Sequence, residues 1–153
     1  PIALDTLQAV ENLLGIKLAP PKPLPIIGAS INTSQTNHIL SQQRQALINQ
    51  LPNTPLLPLQ LDHLQSTYGV NAIALITKYQ TTELEPLSSV IPICHAEISH
   101  AVQNEHAKTI TDILSRRCRL AMVDINEAKR LSPIVEDYLT TTNISLRPLD
   151  LES

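Results

Sequence analysis

An all-α fold is what this sequence predicts, on three observations. Apolar residues recur at three- and four-residue spacing, as in Leu61, Leu64 and Tyr68 and again in Ile98, Ala101 and Val102. Helix-start signals accompany the stripes, with Asp112 three residues after Thr109 and Glu127 three after Asp124. No segment alternates apolar and polar residues in the manner of a half-buried strand. The expected organisation is a leading helix and proline-rich linker over 1–30, a helical domain over 31–139 and an irregular tail over 140–153.

The elements follow in order. Asp5 caps a short helix over Thr6–Leu14, with Leu7, Val10, Leu13 and Leu14 on one side and Gly15 as its stop. Ala19–Pro25 (APPKPLP) lacks the N–H groups a helix needs and reads as an extended connector, continued by Gly28 and Ser30. Leu40–Leu51 reads as a helix with a solvated, glutamine-rich face, closed by an extended link through Pro52, Pro55 and Pro58. The stripe Leu61, Leu64, Tyr68 ends at Gly69, and Asn71 starts a further helix carrying Ile73, Ile76 and Tyr79–Gln80. Thr81–Pro92 is a loop. Beyond it lie a helix through Ile98–Glu105, one begun by Thr109, one begun by Asp124, and a last one started by Ser132–Pro133 and running to about Leu139.

Composition narrows the function classes. A chain of 153 residues with 42% hydrophobic content supports one domain with a sizeable core. Phe and Trp are absent and Tyr occurs three times, so that core is aliphatic. A net charge of −3 argues against a nucleic-acid binder. No apolar run approaches the roughly 20 residues of a membrane span. Two cysteines, Cys94 and Cys118, do not make a disulfide scaffold, and a reducing compartment is the default. Pro1 in place of Met is the mark expected of a processed or excised chain.

Familiar chemistry is hard to build. The three glycines, Gly15, Gly28 and Gly69, lie far apart in sequence, so neither a dinucleotide fingerprint nor a phosphate loop exists and no cofactor is expected. HAEISH superficially resembles a zinc motif, but its histidines, His95 and His100, are five apart. On one regular helix that leaves their rings about 140° apart. His95 and His106 share a face but lie roughly 16 Å apart along it. No metal site is expected, nor a catalytic residue. Cys118, flanked by Arg117 and Arg119, is read as a packed side chain rather than an activated thiol.

The run HAEISHAVQNEHAKTITDILSRRCRL (95–120) carries Glu97, Glu105 and Asp112 with Arg116, Arg117 and Arg119. The acids match the arginines in number. Asp112 and Arg116 are an i, i+4 pair, and Glu97 and Glu105 are expected to take the other arginines in a structural ion-pair cluster. The other reading is a clamp for a phosphate or carboxylate, which guanidinium groups bind bidentately.

The run also carries a resemblance. Glu97, Ala101, Val102, Glu105, Ala107, Thr109, Asp112, Leu114, Arg116, Arg117, Arg119, Leu120 and Ala121 fit the pattern E-x-x-Y-A-V-x-x-E-x-A-x-T-x-x-D-x-L-x-R-R-T-R-L-A, with Asp124 and Ala128 continuing it. His63–Leu64, Tyr68–Gly69 and the segment LGIKLAPP (14–21) agree as well. In these residues the chain resembles the C-terminal helical domain of FAD-dependent glycerol-3-phosphate dehydrogenases. It departs from the pattern at His100, Cys118 and Met122, where the family has tyrosine, threonine and an aromatic residue. The resemblance implies that the flavin and substrate sites belong to a larger N-terminal domain, of which the helix from Thr6 is the last element. It implies a non-catalytic module, expected as an accessory subunit of a larger mitochondrial respiratory complex, with protein subunits as partners. The alternative is the C-terminal part of a working dehydrogenase whose flavin domain is elsewhere.

Overall fold

A computed structural model describes residues 2–19, 26–29 and 32–146. The linker expected over 19–25 lies, from 20 on, outside the described residues, as do Ser30 and the tail from 147. Among the described residues the chain is helical, with no strand. Helix α1 (Ile2–Leu14) begins a turn before the expected start, so Asp5 sits inside its first turn rather than capping it. It stops at Gly15, whose φ of +63° lets the Ile16 N–H reach back to the Glu11 carbonyl at 3.2 Å. No residue of α1 is buried.

Helices α2 (Thr36–Gln50), α3 (Leu57–Tyr68) and α4 (Ala72–Ile76) pack around Leu47, Leu61, Leu64, Leu75 and Ile76. Three sequence expectations are corrected here. Pro58 lies in the first turn of α3, where a missing N–H costs nothing, so the extended link ends before it. Tyr79 and Gln80 fall outside α4, which stops at Ile76. The glutamine-rich face of α2 is not all solvated: Gln43 is buried and its amide donates at 2.7 Å to the Val70 carbonyl, as the buried Gln60 of α3 does to the Leu84 carbonyl. These bonds tie the side chains of α2 and α3 to the backbone of later segments.

The Thr81–Pro92 segment contains a 3₁₀ turn at Thr81–Leu84. Helix α5 (His95–Gln103) is the central element. Cys94 and Ala96 pack with the α2–α4 cluster, while Ile98 and Ala101 pack with Leu120, Leu131, Val135 and Leu139 of the second cluster. Helix α5 ends before His106, which has φ +57°, so His95 and His106 do not share a helix face as expected.

Next comes a π-helical turn, Asp112–Arg117, where a regular helix was expected, and then the short α6 (Leu120–Val123). Helix α7 (Ile125–Thr141) is capped by Asp124, which accepts the N–H groups of Asn126 and Glu127 at 2.9 and 3.0 Å. It runs unbroken through Pro133, so Ser132–Pro133 is not a helix start and the boundary drawn at 140 falls inside α7. One lost backbone bond is outweighed by Leu131, Val135 and Leu139, which bury on the core across the proline; each is worth about 1.5–3 kcal/mol. Ile144 and Leu146, expected in an irregular tail, pack against that same core.

The loop residue Gly28 docks on the end of α3. Its carbonyl accepts the Val70 N–H at 2.9 Å. The two backbones approach so closely that a Cβ on Gly69 would lie 2.0 Å from the Gly28 oxygen. Glycines distant in sequence thus meet in space, holding a turn rather than a phosphate.

Candidate functional site: an arginine-rimmed cleft

A cleft of about 860 Å³ opens between α3, the Val90–Pro92 loop and the turn bearing Arg116, Arg117 and Arg119. Its arginine wall is built by local signals. Asp112 accepts the N–H groups of Lys108 and Thr109 at 3.0 Å, and the Thr109 hydroxyl accepts the Asp112 N–H in return. The backbone bonds to Asp112 and its ion pair with Arg116 hold its carboxyl down to about 2. Past this cap the Cys118 N–H bonds to the Ile113 carbonyl at 3.0 Å, one residue further back than in an α-helix. Arg119 then takes a left-handed conformation, φ +60°.

The six residues of the expected ion-pair cluster are divided among different partners. Asp112 meets Arg116 on one turn. Arg117 donates through Nε to the Glu105 carbonyl at 3.1 Å, with the Glu105 carboxylate 3.7 Å away. Among the described residues Glu97 pairs with no arginine, and this corrects the expectation: its Oε1 lies 2.7 Å from His63 Nε2, and its Oε2 accepts the Cys94 N–H at 3.1 Å. The reason is that Glu97 is the third residue of α5, where its carboxylate turns back on the helix start and into the α3 contact. Arg119 has no ion pair among the described residues.

His63 on α3 was singled out only within the dipeptide His63–Leu64; nothing local identified Glu97 as its partner, 34 residues on. Burial alone would lower the His63 pKa, but the hydrogen bond and charge of Glu97 outweigh burial and raise it above its usual value. Asp62, also on the cleft, is held by Arg44 at 2.8 Å.

The cysteines are not activated. Burial pushes the Cys118 thiol up to about 11, and its Sγ donates to the Leu114 carbonyl at 3.5 Å. Cys94 is fully buried at the start of α5, and its thiol is pushed well up. Two histidines of α5 are likewise engaged: His95 packs on the Tyr138 ring at 4.3 Å, and His100 meets the Tyr68 ring edge-on at 5.6 Å.

Two stability predictions arise here. Arg117 is 34% exposed, so Arg117→Ala is expected to cost about 1–2 kcal/mol, less than removing half of a buried pair. Urea unfolding checks this, and an unchanged midpoint would remove the tether between the 104–108 loop and the π-helical turn. Arg119→Gly is expected to raise stability by roughly 0.5–1 kcal/mol, because glycine takes a positive φ without strain. A lower melting temperature would show that the guanidinium stabilises the fold.

Together the helices and the cleft define an all-α module with a basic groove on its seam. The family described as the C-terminal domain of alpha-glycerophosphate oxidase matches residues 21–142. The chain belongs to that family, the C-terminal domain of FAD-dependent glycerol-3-phosphate dehydrogenases and oxidases. Helix α1 lies outside the match. Among curated proteins, the chain is 33% identical over 76 residues to a mitochondrial glycerol-3-phosphate dehydrogenase of Arabidopsis thaliana, an alignment covering 48% of this chain and 12% of the relative. No solved structure matches the chain.

Proposed function

We propose that the chain is a non-catalytic helical module that works by docking onto protein, as an accessory subunit of a larger mitochondrial assembly of the respiratory type. The observation that carries this reading is α1. Its apolar side chains face solvent, with Ile2 and Leu13 each 84% exposed and Leu4, Leu7 and Leu14 exposed beside them. A helix with such a stripe gains its stability from the surface that covers it. The use of Cys94, Cys118, His63, His95 and His100 in packing, pairing and capping supports the non-catalytic part. The mitochondrial relative supports the location.

A second reading has its own support: the chain is the C-terminal part of a working FAD-dependent glycerol-3-phosphate dehydrogenase. The family match begins at residue 21, which leaves α1 on the side where the flavin domain would be. Both readings cover α1 with protein, and they differ in the identity of that protein.

Gentle extraction, a native gel and mass spectrometry of the band test them. Co-migration with a large respiratory assembly, without flavin-dependent glycerol-3-phosphate oxidation, supports the accessory subunit. Co-migration with a flavoprotein in equal stoichiometry supports the dehydrogenase. A chain that migrates alone overturns both.

A further inference from the structure

We propose that the cleft between α3 and the Arg116–Arg119 turn is a second docking surface, which takes an acidic amphipathic helix of a partner protein. Apolar exposure points there first. Among the described residues from 32 onward, the exposed large apolar side chains are Ile48, Leu59, Val90, Met122, Val123 and Ile125. Leu59, Val90 and Val123 line the cleft, and Met122 and Ile125 lie within two residues of Val123. Ile48, on α2, stands apart. Met122 and Val123 are 73% and 66% exposed. Apolar side chains scattered singly are ordinary, but five gathered about one concave surface with a charged rim mark a protein-binding face. The cleft also runs along a helix: Leu59, Asp62 and Ser66 place it on one face of α3 over about two turns, roughly 10 Å. No strand edge exists among the described residues to pair with an extended peptide, and no tyrosine lines the cleft to seat a polyproline segment. A helix laid along the groove is the recognition mode that remains.

The rim sets the charge of that helix. The π-helical turn and the left-handed Arg119 bring Arg116, Arg117 and Arg119 to the same cleft. Arg119 has no ion pair among the described residues. Arg116 engages Asp112 through Nη1 and is 65% exposed, while Arg117 engages the Glu105 carbonyl through Nε and Nη2. Each guanidinium has five N–H donors, so these bonds orient the arginines without exhausting them. Of the two carboxylates that line the cleft, Asp62 is drawn to Arg44 and Glu105 lies against Arg117. A helix with acidic residues beside an apolar stripe would set its carboxylates on Arg116 and Arg119 and bury the stripe against Leu59, Val90 and Val123. Arginine binds carboxylates bidentately and, with methionine, is enriched at protein interfaces. No residue of α1 lines the cleft, so this face is separate from the one that carries the docking reading. A chain with both faces would join two proteins.

The test uses the 153-residue chain and synthetic peptides, with no assembly present, so it and the native gel fail separately. The probe is an amphipathic helical peptide with leucine at i, i+3, i+4 and i+7 and glutamate beside them; a second probe carries glutamine in place of glutamate. Each is titrated into the chain while the backbone amides and arginine Nε–H signals are followed by NMR. Saturable shifts at Val90, Val123 and the three arginines are expected with the glutamate peptide. Binding should weaken about tenfold or more with the glutamine peptide, in Arg119→Gly, which suits the backbone, and in the double variant Met122→Ser, Val123→Ser. Ile48→Ser, outside the cleft, should bind as the wild type does. Absence of saturable binding overturns the proposal, as does binding that the glutamine peptide, Arg119→Gly or the double serine variant leaves intact. Tighter binding of a peptide spanning Ile2–Leu14 would make the occupant a second copy of this chain, and stronger Arg119-dependent binding to phosphatidylserine vesicles would make it a lipid surface; either result overturns the assignment to a partner protein.

Discussion

Gly69→Ala is expected to lower the stability of this chain by roughly 2–4 kcal/mol, a drop of about 5–15 °C in melting temperature at this size. Two costs combine. Gly69 holds φ +56° and ψ −132°, a backbone region that side chains essentially do not occupy. The added Cβ would also meet the Gly28 oxygen at 2.0 Å, and that neighbour is backbone rather than a flexible side chain. Relief requires the Gly28 turn to move away and the bond from the Val70 N–H to be lost. Gly15→Ala provides the comparison, since Gly15 has φ +63° with nothing within 4 Å of its Cβ position. That change carries the conformational cost alone, about 1 kcal/mol. Thermal unfolding of the pair separates the terms. Equal losses would mean that the Gly28 turn does not rest on Gly69 in solution.

The buried pair of Glu97 and His63 carries the second large effect. Their side chains are 5% and 12% exposed, and they join α3 to α5 across the two halves of the core. Glu97→Ala is expected to cost about 3–5 kcal/mol, because it strands a buried histidine and leaves the Cys94 N–H without its acceptor. The same pair sets a pH dependence. The folded pKa of His63 is raised above the value of about 6.5 that it has unfolded. The stabilisation is therefore fully present below about pH 6.5 and is lost as pH rises through the folded pKa. Glu97→Gln keeps an acceptor for the Cys94 N–H but removes the charge, so this step in stability should vanish. Urea unfolding over a pH series, with the His63 ring followed by NMR, measures both. A His63 that titrates identically in the wild type and Glu97→Gln would sink the assignment.

Of the arginine wall, the Asp112–Arg116 pair was legible, because its signals act within one turn of helix. Asp112 finds the N–H groups beside it, and Arg116 lies four residues along. The remainder of the cleft was not legible. Nothing near Glu97 distinguishes His63 from the arginines as its partner. The local rule for Ser132–Pro133 gave a helix start, yet burial on both sides of the proline carries α7 straight through it. The Gln43 amide looks solvated until the chain returns and presents the Val70 carbonyl.

By itself, then, the sequence determined the all-α class, the helix caps at Asp112 and Asp124, the stops at Gly15 and Gly69, and the family. Each is encoded in a few neighbouring residues or in a pattern that survives without knowledge of the contacts. Tertiary structure alone decided that Glu97 belongs to His63, that Gly28 rests on Gly69, and that three arginines share one cleft. Such contacts join residues brought together by packing of the whole chain, and their energies exist only once the helices that carry them have met.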